Sequence, residues 1–227
     1  MGKLFNPDSP IMQGLIKISD MVVLNFICLI CCIPIVTIGA AVTALYDAVG
    51  RMMREEGGIY KAFFKAFASN FKQATAQWLI LLVTGGLLAM CLYFYQNLPG
   101  GMGRALLLVT VLMAFIWCAV TAWVFPLQSR FYNSVKDTFR NALLCAVAYL
   151  PRTIVMVVLN IFPWVLAVLY PVFFFRSSVL YIVIWFAMAA AINLQVIKKP
   201  FRRMIEEIDP EAAAAMDGPK EDADTEE

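Results

Sequence analysis

The chain contains no histidine among its 227 residues. It therefore lacks the side chain that most often serves as a general base near neutral pH and as a metal ligand. Charge is scarce as well. Asp, Glu, Lys and Arg make up 15% of the residues, against about a quarter in soluble domains. No Gly-rich phosphate loop, no GxSxG elbow and no GxGxxG turn occurs. No carboxylate pair falls inside an apolar stretch, so intramembrane acid–base work has no obvious residues. Cys28-x-x-Cys31 is half of a metal or redox motif, and no second pair completes it. All six cysteines lie in or beside apolar segments and read as small apolar helix residues, with no disulfide implied. No catalytic residue, metal or cofactor is expected, and the chain is not read as an enzyme. Nucleic-acid binding is not expected either, because membrane topology already accounts for the basic residues.

What the chain has in excess is apolar length: 62% of its residues are hydrophobic. Charged residues are absent from Met21–Tyr46, Gln73–Gly103, Ala105–Ser129, Thr153–Phe175 and Ser177–Ile197. Each run is long enough to cross a hydrocarbon core, which takes about 20 helical residues. The expected fold is all-α: a polytopic membrane bundle of five transmembrane helices, with an amphipathic interfacial helix before the second. The first run is too long for the apolar region of a signal peptide, and Asn6 stands where a myristoylation motif needs Ser or Thr.

The net charge of +2 conceals an asymmetry, because ten of the sixteen acids lie in Glu206–Glu227. Residues 1–208 are expected to form the membrane domain and 209–227 a disordered acidic cytoplasmic tail. Lys and Arg collect on the cytoplasmic side of membrane proteins. With five spans, 14 of them fall on one side, leaving Lys3, Lys17, Arg104 and Arg176 on the other. That split puts the N-terminus outside and the C-terminus in the cytoplasm.

Two segments stand out as candidate sites. Pro34 interrupts the first span, and a proline ring removes a helical hydrogen bond from the residue four positions back. Thr37 offers a hydroxyl to the backbone freed there, and Gly39 permits close helix contact. This helix break is read as a packing site first and a ligand site second. The other segment follows Glu55-Glu56-Gly57-Gly58, a helix stop. At 100° per residue, Tyr60, Phe63, Phe64, Phe67, Phe71 and Trp78 share one face, with Lys61, Lys65 and Lys72 beside it. Such a helix suits the headgroup layer or a docking partner. Asn25, Gln77, Gln128, Asn160 and Asn193 are expected to hydrogen-bond between helices, as are the membrane threonines. Asp47 is expected at the cytoplasmic interface with Arg51 as its i+4 partner. Pro151 is expected to kink the start of the fourth span.

The segment from Asn25 to Tyr46 reads Asn-Phe-Ile-Cys-Leu-Ile-Cys-Cys-Ile-Pro-Ile-Val-Thr-Ile-Gly-Ala-Ala-Val-Thr-Ala-Leu-Tyr. It resembles the YesL family, small membrane proteins found mainly in Gram-positive bacteria. Its most specific part is Ile33-Pro34-x-x-Thr37-x-Gly39. The resemblance continues through Phe63-Phe64-Lys65-Ala66-Phe67, Asn70-Phe71-Lys72-Gln73-Ala74 and Leu150-Pro151-Arg152-Thr153, and does not reach the acidic tail. The family has no agreed catalytic residues. Its members tend to be encoded beside sugar-uptake systems, so the resemblance implies a multi-pass protein of the bacterial cell membrane linked to carbohydrate use. The expected function is a non-enzymatic accessory, assembly or regulatory component of a membrane complex such as a sugar-uptake system. The alternative is a small-solute transporter or permease component. Expected partners are the lipid bilayer and that complex.

Overall fold

Proline and glycine divide the chain into helices. The computed structural model describes residues 10–131 and 133–206, which carry eight α-helices and no strand. They are α1 (Pro10–Cys31), α2 (Ile38–Met53), α3 (Ile59–Gln96), α4 (Gly101–Arg130), α5 (Val135–Ala148), α6 (Leu150–Leu169), α7 (Pro171–Leu180) and α8 (Phe186–Glu206). A 3₁₀ turn, Ile35–Thr37, precedes α2, and a π turn, Tyr181–Trp185, joins α7 to α8. The expected acidic tail and its boundary at residue 208 lie outside the described residues.

Six helical segments are long and apolar enough to cross a membrane, and an all-α polytopic bundle is the architecture. The count departs from five at the first span. The run Met21–Tyr46 is not one helix. Proline cannot donate at position 34, and α1 ends at Cys31. The chain then reverses and resumes as α2, forming a helical hairpin. Lys17 of α1 ion-pairs with Glu55 beyond α2 at 2.7 Å, and the Tyr60 hydroxyl donates to Asp20 at 2.5 Å. The start of α1 and the α2–α3 turn therefore share one end of the bundle. The five-span scheme had placed Lys17 and Glu55 on opposite sides, and a direct ion pair rules that out. Two further elements differ from expectation. Pro151 does not kink a continuous helix; Tyr149 separates α5 from α6, and Pro151 occupies the first turn of α6, where its missing N–H costs nothing. The last span runs Ile182–Met204, closer to the C-terminus than the charge-free run suggested.

α2 sits at the centre and packs against α1, α3, α4 and α8. Its buried face is built mostly from small residues, Gly39, Ala40, Ala41, Thr43, Ala44 and Ala48, which let backbones approach. α3 is one unbroken helix of 38 residues, about 57 Å long at 1.5 Å per residue. A hydrocarbon core is about 30 Å thick, so several turns of α3 must extend past it. Its buried stripe is Ile59, Phe63, Ala66, Asn70, Ala74, Gln77 and Leu81, a spacing of three and four residues. Large apolar side chains such as Val83, Leu87 and Met90 point outward, a surface that suits lipid rather than water.

Candidate functional site

The expected helix break is a tight turn. The Thr37 hydroxyl reaches the carbonyls of Cys31 at 2.5 Å and Pro34 at 2.7 Å. The Cys31 carbonyl is one that the end of α1 leaves without a helical donor, and the Pro34 carbonyl also accepts the Thr37 N–H at 3.0 Å. The Trp78 indole of α3 donates to the Ile35 carbonyl at 2.8 Å. Gly39 lies directly against α3: a Cβ there would overlap the Ala74 carbonyl oxygen and stand 2.6 Å from Trp78 Cβ. Pro34, Thr37 and Gly39 are thus brought together with Trp78 as a packing joint between the hairpin and α3. The cavities described below are lined by none of them.

The aromatic–basic segment is divided by the fold. Phe63 is fully buried and stacks with Phe67 at 6.5 Å between ring centroids. Trp78 is committed to the hairpin. The exposed set is Phe64 (54%), Phe71 (39%) and Tyr60 (37%), with exposed Lys61, Lys65 and Lys72 around them. Phe63 and Phe64 are 100° apart on a helix, so one can face the core while the other faces out.

Buried amides tie the bundle together at three places. Asn25 of α1 donates to the Ile182 carbonyl at 2.6 Å and accepts from the Ala187 N–H at 3.0 Å. It thereby bridges the wide π turn, where the regular backbone pattern is interrupted. Asn193 of α8 donates to the Tyr46 hydroxyl (2.9 Å) and to Asn160 (3.2 Å), linking α2, α6 and α8. The largest group centres on Gln128 of α4. Its amide donates to Asn70 Oδ1 (3.0 Å) and Gln73 Oε1 (2.9 Å), and its Oε1 accepts from Gln77 (2.8 Å) and Thr138 (3.3 Å). The amides bond across helices as expected. Most membrane threonines do not: Thr43, Thr110 and Thr121 bond back to carbonyls of their own helix.

Beside the Gln128 group, at the end of the bundle shared by Lys17 and Glu55, lies a cavity of about 420 Å³. Its wall takes Asp47 and Arg51 from α2, Gly57 and Gly58 from the turn, Lys61 and Lys65 from α3, and Arg130 from the end of α4. Arg51 pairs with Asp47 at 3.0 Å, as its i+4 spacing implied, and with Glu56 at 3.1 Å; Arg54 pairs with Glu56 at 2.5 Å. The hydrogen bond from Arg54, with further help from Arg51 and Arg130, holds the Glu56 carboxyl below its ordinary pKa. Lys17 does the same for Glu55. The helix stop preceding the cavity is made by Glu55 itself, at φ 60°. Glu56 N–H donates to Arg51 O and Glu55 N–H to Met52 O, the pattern of a Schellman cap that glycine usually supplies. Arg130 was read in the sequence only as a topology marker. Its approach to Gly50 of α2 and its place in the cavity wall arise from three segments meeting, which no local pattern announces.

A family profile described as "Protein of unknown function, DUF624" matches residues 21–91. The match covers the second half of α1, the turn after it, α2 and most of α3, and stops short of Arg130. No curated protein and no solved structure matches the chain.

Proposed function

We propose that this chain is a non-enzymatic accessory, assembly or regulatory component of a bacterial membrane complex, acting through its basic end. The observation that carries the reading is the length of α3. Its first turns extend past the hydrocarbon core and carry Phe64 and Phe71, uncovered by the rest of the bundle, among three exposed lysines. Exposed aromatics beside cations suit contact with another protein. Among the described residues, the buried polar side chains supply no charged relay through the bilayer; they are amides and hydroxyls largely occupied with one another or with backbone. That supports an accessory role over solute transport, which usually needs polar groups aligned across the membrane. The link to carbohydrate uptake rests on the resemblance to YesL proteins.

Both ends of the described chain belong on the cytoplasmic side in this reading. Placing Lys3 and Lys17 with the other basic residues changes the division of Lys and Arg from 14 against 4 to 16 against 2, a sharper asymmetry of the kind that sets orientation. Reporter fusions at Met12 and at Glu206 should both report the cytoplasm, and a fusion at Gly100 the outside. Opposite readings at Met12 and Glu206 would restore the five-span scheme.

The docking reading is tested by Phe64→Ala with Phe71→Ala. Both side chains are exposed, so the membrane-extracted protein should keep its stability while a co-purifying sugar-uptake component falls away about tenfold or more, the scale of a lost interface anchor. Phe63→Ala is unsuitable here because it opens the core. Solute flux through the purified protein alone in liposomes would favour the transporter reading and remove this one.

A further inference from the structure

We infer that the cavity between α2, α3 and α4 is a binding site for a phosphate-type oxyanion. The inference stands on the cavity itself and not on the docking reading. Its wall holds four cations, Arg51, Lys61, Lys65 and Arg130, against one carboxylate, Asp47. Arg51 is engaged by Asp47 and by Glu56. Arg130 makes no ion pair among the described residues, and its Nε is buried without a hydrogen-bond partner. A buried guanidinium donor left unpaired is costly, and more so beside other cations. A bound anion relieves both costs at once.

The backbone supplies a second, independent feature. α3 opens at the cavity wall, with Gly57, Gly58, Lys61 and Ala62 lining it. The first helical turn has no side-chain cap at Gly58 and no acidic residue. Uncapped N–H groups at a helix start carry partial positive charge and bind phosphate oxygens directly. Arginine adds a planar fork of donors suited to the same oxygens. Lys61 and Lys65 are exposed at the rim and can close over the ligand as point charges. About three surplus positive charges suit a dianionic phosphate monoester better than a single carboxylate. Such a group can arrive on a cytoplasmic phosphorylated metabolite or on a lipid headgroup, and the donors are the same for both.

The test uses the full chain in nanodiscs of phosphatidylcholine, titrated with inorganic phosphate by calorimetry at fixed ionic strength. Saturable binding is expected. It should weaken about tenfold in Arg130→Gln, the scale of one charge-assisted hydrogen bond. Arg130 touches α2, so that variant alone does not separate lost binding from misfolding; the rim pair Lys61→Gln with Lys65→Gln, both exposed, gives a second reading and should weaken binding several-fold. Arg104→Gln, at the far end of the same helix, should leave it unchanged. A lipid source is read separately. Phosphatidic acid, whose headgroup is a phosphate monoester, retained by the purified protein in native mass spectrometry should be lost in the rim pair, with inorganic phosphate binding weak or absent. Either pattern supports the site and assigns its source. Absence of both, or an equal loss in Arg104→Gln, overturns it.

Discussion

The two ends of this bundle are joined by different forces. At the hairpin end, helices meet by close approach of glycine: Gly39 of α2 lies against Ala74 of α3, and Gly85 of α3 against the Trp117 ring of α4. At the basic end they meet through amides and ion pairs, from Gln128 and its four partners to Arg51, Arg54 and Glu56. Lipid gives helices no reason to exclude one another's apolar surface, so association must come from tight packing or from polar contacts. This protein uses the first where charge is nearly absent and the second where charge collects. A packed joint is intolerant of added volume and indifferent to charge. A polar joint is intolerant of lost partners, and its charges remain available to a ligand.

The largest expected effect lies at the packed joint. Gly39→Val places a branched side chain where even a Cβ overlaps the α3 backbone. The Ala74 carbonyl cannot rotate away, so α2 and α3 must separate. Overpacking of a close contact costs about 1–3 kcal/mol and sometimes more, and this site should reach at least the top of that range. Denaturant titration in mild detergent measures it. Gly86→Ala is the matched control. Nothing lies within 4 Å of a Cβ there, so the variant should be neutral or gain up to about 1 kcal/mol from helix propensity. Equal behaviour of the two variants would dissolve the distinction between the ends.

The packed end was partly legible in the sequence, since Pro34, Thr37 and Gly39 marked a break and a close contact. The hairpin itself was not. Its turn carries no charge, so hydropathy runs through it unbroken, and Lys17 with Asp20 looked like the limit of a span. Both pair across the hairpin, with Glu55 and Tyr60, and so sit within α1. The orientation of α3 was misleading for a different reason. In a soluble helix the most apolar face turns inward, but in lipid the inner face can be the smaller and more polar one. The aromatic direction therefore included Phe64 and Phe71, which face out, while Ala66, Asn70 and Gln77 form the contact. The cavity was invisible because its wall comes from residues as far apart as Asp47 and Arg130.

A smaller effect is expected at the polar joint, and its signature is reversibility. Gln128→Leu removes the acceptor of Gln77 and the donor to Asn70. Gln77 is fully buried and Asn70 nearly so, and Gln77 Oε1 already lacks a partner. Stranded buried polar groups cost about 1–3 kcal/mol each, so the single variant should lose about 2 kcal/mol against denaturant. Gln77→Leu on its own removes one donor and one unpaired oxygen together, and should cost less. The double variant is the informative one. Replacing both partners of a buried hydrogen bond with apolar side chains of similar size can be nearly neutral, and leucine is at home between membrane helices. Gln77→Leu with Gln128→Leu should therefore recover much of the stability lost by Gln128→Leu alone, leaving only the share owed to Asn70, Gln73 and Thr138. No second substitution offers such recovery for Gly39→Val, because its closest clash is with the Ala74 main chain. Strictly additive losses in the double variant would show that this end too is held by shape, and that its amides are incidental to assembly.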